Sequence, residues 1–213
     1  MKMKMLFITF ICVFTLNTVM AEMTDTEKKF IENDILVDLQ LDVAPKNLVE
    51  INYPSGATVN LGNELTPTQV KDIPFLKWEA EKDALYTVFM VDPDAPSRQN
   101  TTYREVRHWL VVNVPNNDVK DGDHIVEFIG SGPPQGTGLH RYIFMIFKQQ
   151  DRIDVSNIKK VRNCSRDGRL MTRAKTFIDE YQLGAPLFGN FYQAQFDDYV
   201  PELHKQLGGG CPQ

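Results

Sequence analysis

Gly130-Ser131-Gly132-Pro133-Pro134-Gln135-Gly136-Thr137-Gly138-Leu139-His140-Arg141-Tyr142 runs without a break into Ile143-Phe144-Met145-Ile146-Phe147. Four glycines and two prolines within 130–138 exclude a helix or a regular strand there. The segment reads as a tight loop with exposed backbone N–H groups. The run that follows, 142–148, is apolar on both faces, so it reads as a buried central strand. The loop therefore ends on something rigid, and it brings His140, Arg141 and Tyr142 to the mouth of that strand. Backbone donors on a glycine-rich turn beside an imidazole suggest an anion site. A plain connecting loop fits the same residues.

The familiar glycine loops do not fit. No Gly-Lys-Ser/Thr follows, as a phosphate-binding Walker loop requires. Gly130, Gly132 and Gly136 miss the dinucleotide spacing by one residue, and a strand follows where a helix is needed. Ser131 lies between glycines, but Ile129-Gly130-Ser131-Gly132 is not a nucleophile elbow.

Outward from the loop, strands dominate. Leu85–Val91 and Val106–Val114 are strong β runs, 125–129 is short, 188–196 alternates, and 75–80 has an edge-like look after Pro74. Segments 43–51 and 57–61 read as strands parted by the turn signal Tyr53-Pro54-Ser55-Gly56. Alternation along the second strong run places His108, Leu110 and Val112 on one face. Helices fall at 24–33, where Thr24 or Asp25 can cap, at 172–182, which Gly184 stops, and at 200–207, with Pro201 in its first turn. The pattern predicts a mainly β, antiparallel, sandwich-like fold with a few peripheral helices. No repeat and no linker divides it, so 22–213 is expected to be one domain, with a flexible tail at 208–213.

Lys2 and Lys4, an uncharged and mostly apolar stretch from Leu6 to Met20, and a small residue at Ala21 form the pattern of a secretory leader. The stretch is short for the ~20 residues of a spanning helix, so cleavage before Glu22 is expected, and no later stretch is apolar enough to span. The whole chain carries 23 basic against 28 acidic residues, a net charge of −5. Loss of Lys2 and Lys4 leaves 21 against 28, or −7. Such a chain is a poor general binder of nucleic acid or anionic membrane, and any anion site must be local. Cys12 leaves with the leader. Cys164 and Cys211 remain, and in an oxidising compartment they can pair, stay free or link to another chain. Asn100-Thr101-Thr102 and Asn163-Cys164-Ser165 are glycosylation sequons in polar segments.

Polar groups gather at three strand ends: Asp92 and Asp94; Tyr103, Glu105 and His108; His140 and Tyr142. If these ends converge, carboxylates orient imidazoles, and charged imidazoles donate to an anion. The same residues admit a two-His zinc site, a Ser131–His–Asp hydrolase, or ordinary core histidines.

The longer motifs narrow the choice. Asp92-Pro93-Asp94-Ala95-Pro96-Ser97-Arg98, then Tyr103-Arg104-Glu105 with His108-Trp109-Leu110-Val111-Val112-Asn113, then 130–142, resemble the phosphatidylethanolamine-binding protein family, which includes the Raf kinase inhibitor proteins. Tyr192–Pro201 resembles that family's C-terminal segment, and the likeness spans about 36–207. It implies a large central antiparallel sheet, a smaller sheet, flanking helices and a small surface pocket for phosphate-like anions such as phospholipid head groups. By motif the pocket positions are Asp92, Tyr103, Glu105, His108, Gly132, Pro133, His140 and Tyr142. A cis peptide before Pro96 is implied too. Val106-Arg107 before His108 departs from the family's usual aromatic or His residues there, which puts a partner surface in doubt. The expectation is a secreted, monomeric binding protein for small anionic or odorant-like ligands, with no catalytic role, metal or cofactor. A leader places it across the membrane from cytosolic kinases. An extracellular protease inhibitor, acting through its surface, is the alternative.

Overall fold

A computed structural model describes residues 23–211. The expected leader, 1–21, lies outside them, as do residues 22, 212 and 213. The elements are α1 (Asp25–Glu32), α2 (Ile35–Leu39), β1 (Asn47–Leu48), β2 (Glu50–Asn52), β3 (Asn63–Glu64), β4 (Phe75–Lys77), β5 (Leu85–Asp92), β6 (Val106–Pro115), a 3-10 turn (Val119–Asp121), β7 (Asp123–Val126), β8 (His140–Lys148), α3 (Ala174–Glu180), β9 (Phe188–Ala194) and α4 (Val200–Gly208).

The large sheet has the order β1-β9-β8-β5-β6-β7, and β3 also pairs with β9. Its long strands are all antiparallel neighbours. β1 and β3 join β9 in parallel, so the sheet is mixed at that edge. β2 and β4 form a separate antiparallel pair. β8 lies between β5 and β9, and its alternation feeds two cores. Ile143, Met145 and Phe147 pack with Phe30, Leu39 and Phe177 of the helices. Tyr142, Phe144 and Ile146 pack with Ile51, Val59 and Trp78 around the small sheet. The layering is the sandwich that the strand pattern predicts.

Local chemistry explains most element ends. The Thr24 hydroxyl accepts from Glu27 N–H at 3.2 Å, and the Glu27 carboxylate accepts from Thr24 N–H at 2.8 Å, closing a capping box on α1. α1 then rests on β9 through Phe30 and Phe191, whose ring centroids lie 5.7 Å apart. Gly189 makes that approach possible, because a Cβ there would stand 2.7 Å from the Phe30 ring.

Three expectations need correction. Residues 57–61 do not form a strand. They keep a single bridge, Thr58 to Asn52, and the Asn190 side chain meets the rest, donating to Val49 and Val59 carbonyls at 2.9 and 3.1 Å and accepting from Leu61 N–H at 2.9 Å. The strand expected at 125–129 occupies Asp123–Val126. α2 was not anticipated; its five residues lie between the left-handed Asp34 and Gln40, too short to show a helical period.

Candidate ligand-binding site

The antiparallel order brings the end of β5, the start of β6 and the start of β8 together at one edge of the sheet. A cavity of about 180 Å³ opens there. Asp92, Tyr103, His108, Gly132, His140 and Tyr142 line it, with Ala95, Pro96 and Pro134 from the loops. Segment 166–170 supplies Arg166, Arg169 and Leu170, and α4 supplies Leu203, His204 and Leu207. The Ala95–Pro96 peptide is cis, and so is Arg104–Glu105.

His140 is held at both ring nitrogens. Nδ1 faces Asp92 Oδ2 at 2.9 Å, and Nε2 faces Thr137 Oγ1 at 2.9 Å. Thr137 gives its own proton to the Pro134 carbonyl at 2.8 Å, so it must accept from Nε2. The ring therefore donates twice and is an imidazolium. Burial opposes that charge, but the hydrogen bond and field of Asp92, with Asp94 behind it, outweigh burial and raise the pKa above its usual value. Asp92 Oδ1 in turn accepts from Asp94 N–H at 2.7 Å.

His108 has the opposite state. Its Nδ1 lies 3.2 and 3.1 Å from the Ile129 and Gly130 carbonyls and donates to them. Burial pushes its pKa down to about 4 against the attraction of Asp92. The ring is neutral near pH 7, and Nε2 remains an acceptor. This corrects the expectation of two charged histidines. Strand parity also fails here. Met90 pairs with Trp109 but Val91 pairs with Arg107, so His108 is the extra residue of a β-bulge. The bulge takes it off the Leu110 face and sets its ring edge-on to Tyr142, with centroids 5.1 Å apart.

Tyr142 stacks on Tyr192 at 5.1 Å, and its fully buried hydroxyl lies beside the Gly132 backbone and the Ser131 hydroxyl without a well-formed hydrogen bond to either. Burial, then the nearby Asp92 charge, raise its pKa well above 10, so it keeps its proton to donate. Gly132 stands beside it. A Cβ on Gly132 would stand 2.8 Å from a terminal methyl of Leu203, so glycine here lets α4 pack closely over the loop. His204 Nε2 also donates to the Gly132 carbonyl at 3.0 Å.

Several residues do not take their expected places. Glu105 orients no histidine. Its carboxylate accepts from Ala174 N–H at 2.8 Å, at the start of α3, and burial pushes its pKa up to about 7. Pro133 is buried away from the lining, and Pro134 occupies that position. Arg141 turns to the helical side. Its Nε donates to Asp94 Oδ2 at 2.8 Å and its Nη2 to Asp38 Oδ2 at 2.5 Å. Ser131 bonds Tyr192 at 2.6 Å, and no hydrogen bond joins it to His108 or His140. Among the described residues no His, Cys, Asp or Glu cluster is arranged to hold a metal.

The sequence reading missed Arg169 and the place of α4 on the cavity wall. Arg169 is 1 % exposed. Its donors go only to carbonyls: Ser165, Arg107, His108, Glu127 and Arg162, at 2.8–3.2 Å. It ties β6 to two loops behind the cavity. The Val200–Leu203–Leu207 stripe of α4 was legible as apolar, but not its docking place. Cys164 and Cys211 are joined in a disulfide with Cα atoms 5.1 Å apart. Asn100 and Asn163 are both exposed.

The two imidazole states predict distinct titrations. Nuclear magnetic resonance of the ligand-free protein should show His140 titrating above the ordinary imidazole value and His108 uncharged until about pH 4. His140, with its pKa raised, stabilises the fold fully below ~6.5 and less as pH rises through the folded value. His108, with its pKa lowered, stabilises fully above ~6.5. That contribution, up to ~3 kcal/mol, is lost as pH falls towards the folded value. A His108 midpoint near 6.5 would contradict the assigned burial.

A helix long and apolar enough to cross a membrane is absent among the described residues. The phosphatidylethanolamine-binding protein family profile matches residues 55–192. A Drosophila melanogaster protein described as "Putative odorant-binding protein A5" is 40% identical over 169 residues, covering 79% of this chain and 80% of that one. The solution structure of CG7054 is 44% identical with a TM-score of 0.65, covering 76% of this chain and 92% of that one. A carboxypeptidase Y inhibitor, crystallised with its cognate proteinase, is 25% identical with a TM-score of 0.68, covering 81% and 95%. With a profile over most of its length, a relative at this identity and the same sheet layering, the chain belongs to the phosphatidylethanolamine-binding protein family.

Proposed function

We propose that the chain is a binding protein whose cavity holds a small anionic group, a phosphate or carboxylate such as the head group of a phospholipid. The observation that carries this is Tyr142: its side chain lines the cavity, and its hydroxyl is buried, protonated and without a well-formed hydrogen bond to the protein. An unpaired buried hydroxyl costs about 1–3 kcal/mol, and a ligand oxygen removes that cost. The charge of His140 and the exposed Arg166 favour an anion beside it. Ser131, spent on Tyr192, supports binding rather than turnover.

Neutral His108 Nε2 is an acceptor, so a phosphate must bring an O–H to it or the complex must take up a proton. Affinity should therefore rise as pH falls from 8 towards 6. Calorimetry with phosphoethanolamine tests this. Tyr142→Phe should bind roughly tenfold to a hundredfold more weakly, the loss of one hydrogen bond to a charged group. Equal affinity in wild type and variant at every pH would sink the reading.

The relative described as odorant-binding, the leader-like start and two exposed sequons support placement outside the cell. Protein recovered from the medium should begin at Glu22; full-length chain held in cells would overturn this. A protease-inhibitor role, favoured by the likeness to the carboxypeptidase Y inhibitor, would survive Tyr142→Phe, because it acts through the surface.

A further inference from the structure

Two walls of the cavity come from segments far apart in the chain, and one covalent bond joins them. Cys164 begins the segment that carries Arg166, Arg169 and Leu170, and Cys211 ends the segment that carries Leu203, His204 and Leu207. The first turn of α4 is anchored by burial, with Val200 and Leu203 at 1 and 2 % exposure. The last turn is not. Lys205, Gln206 and Gly208 to Gly210 are exposed, and Leu207 is half-buried. Besides the disulfide, residues 204–211 are held to the cavity side by two hydrogen bonds, His204 to the Gly132 carbonyl and Gln206 to the Asn163 carbonyl, at 3.0 and 2.8 Å. Three successive glycines then lead to Cys211, and such a segment has no ordered state of its own.

We propose that the Cys164–Cys211 disulfide is a latch on the cavity. Oxidised, it holds His204 and Leu207 against the glycine loop. Reduced, the last turn of α4 frays and that wall opens. The reductant is a dithiol: it supplies two electrons and two protons, the S–S bond breaks, both cysteines become thiols, and the dithiol leaves as its own disulfide. The cavity then exchanges its contents faster, because the wall that retains a ligand no longer closes over it. The effect on ligand rests on the anion-binding reading; the opening of the wall does not.

Hydrogen exchange tests the opening without any ligand. Amides 205–209 should exchange at least about tenfold faster in dithiothreitol-reduced protein and in Cys211→Ser than in oxidised wild type, with β5 and β8 unchanged. Cys211→Ser leaves the buried Cys164 in place, so the fold should persist; removal of residues 209–213 is the second variant and should behave alike. Equal exchange in oxidised and reduced protein would overturn the latch. Phosphoethanolamine dissociation should speed up about tenfold on reduction. Faster exchange with unchanged dissociation would show fraying without gating and overturn the cavity role. Faster exchange with no phosphoethanolamine binding in either form would leave the latch standing and remove the ligand reading.

Discussion

Arg141→Met should lower the unfolding free energy by about 3–5 kcal/mol and the melting midpoint by roughly 10 °C. Arg141 is fully buried, and so is Asp94. The guanidinium donates to both Asp94 oxygens, at 2.8 and 2.5 Å, and to Asp38 at 2.5 Å, and it also donates to the Asn33 carbonyl. Arg104 reaches the other Asp38 oxygen at 2.5 Å. The cluster thus clamps β5 and β8 to α2. Methionine fills much of the volume, so the loss is mainly electrostatic: Asp94 is left charged and buried, with only the residue-141 backbone N–H at 2.9 Å and Arg104 at 3.8 Å. A second change, Asp94→Leu on the Arg141→Met background, removes the stranded charge and should recover part of the loss. The pH dependence has a definite sign. Burial works to raise the Asp94 pKa, but the Arg141 hydrogen bonds and charge win and lower it. Its stabilisation is present above ~3.9 and is lost as pH falls through the folded value. The gap between wild type and Arg141→Met should therefore narrow in acid. Thermal melts at pH 7 and pH 3 measure both points. An unchanged midpoint at pH 7 would show the cluster to be inessential.

Arg169→Met should cost at least about 3 kcal/mol, and Arg169→Lys should recover less than half of that. This cation sits among carbonyls rather than carboxylates. Burial pushes its pKa down to about 10, and the field of Glu127 only partly offsets that, yet the charge remains at neutral pH. Its value lies in geometry. One planar fork serves acceptors on 107 and 108 of β6, on Glu127, and on 162 and 165. Methionine leaves several of these carbonyls buried without a donor. Lysine brings a compact ammonium with three donors and cannot reach acceptors spread around a guanidinium. Urea unfolding gives the free energies. Because the same loops form a cavity wall, affinity for phosphoethanolamine should fall along with stability. A lysine variant as stable as wild type would mean that charge alone matters there.

The sequence by itself determined the parts that rest on local chemistry. Proline and glycine density excluded regular structure from 130–138, and an apolar run on both faces made 142–148 the central strand, which the structure begins two residues earlier. Thr24 or Asp25 marked the first helix start, and Thr24 is the cap found, because a capping box needs only four residues. The motifs around Asp92, His108 and His140 named a family, and six of their eight pocket positions line the cavity found. Tertiary structure decided how those residues act. His108 left its expected face because of a bulge set by pairing with β5, which no alternation within β6 records. Glu105 went to Ala174, 69 residues away, since an orphan helix N–H inside the protein was the nearer need. Arg141 took the carboxylates of Asp94 and Asp38, and only the packing of α2 on β8 supplies the second of them. The charge states of the two histidines were equally hidden, because an imidazole's pKa answers to burial and to partners brought from elsewhere in the chain. Sequence specifies which groups are available; the long-range register of strands and helices selects the partner of each, and with it the charge that faces the cavity.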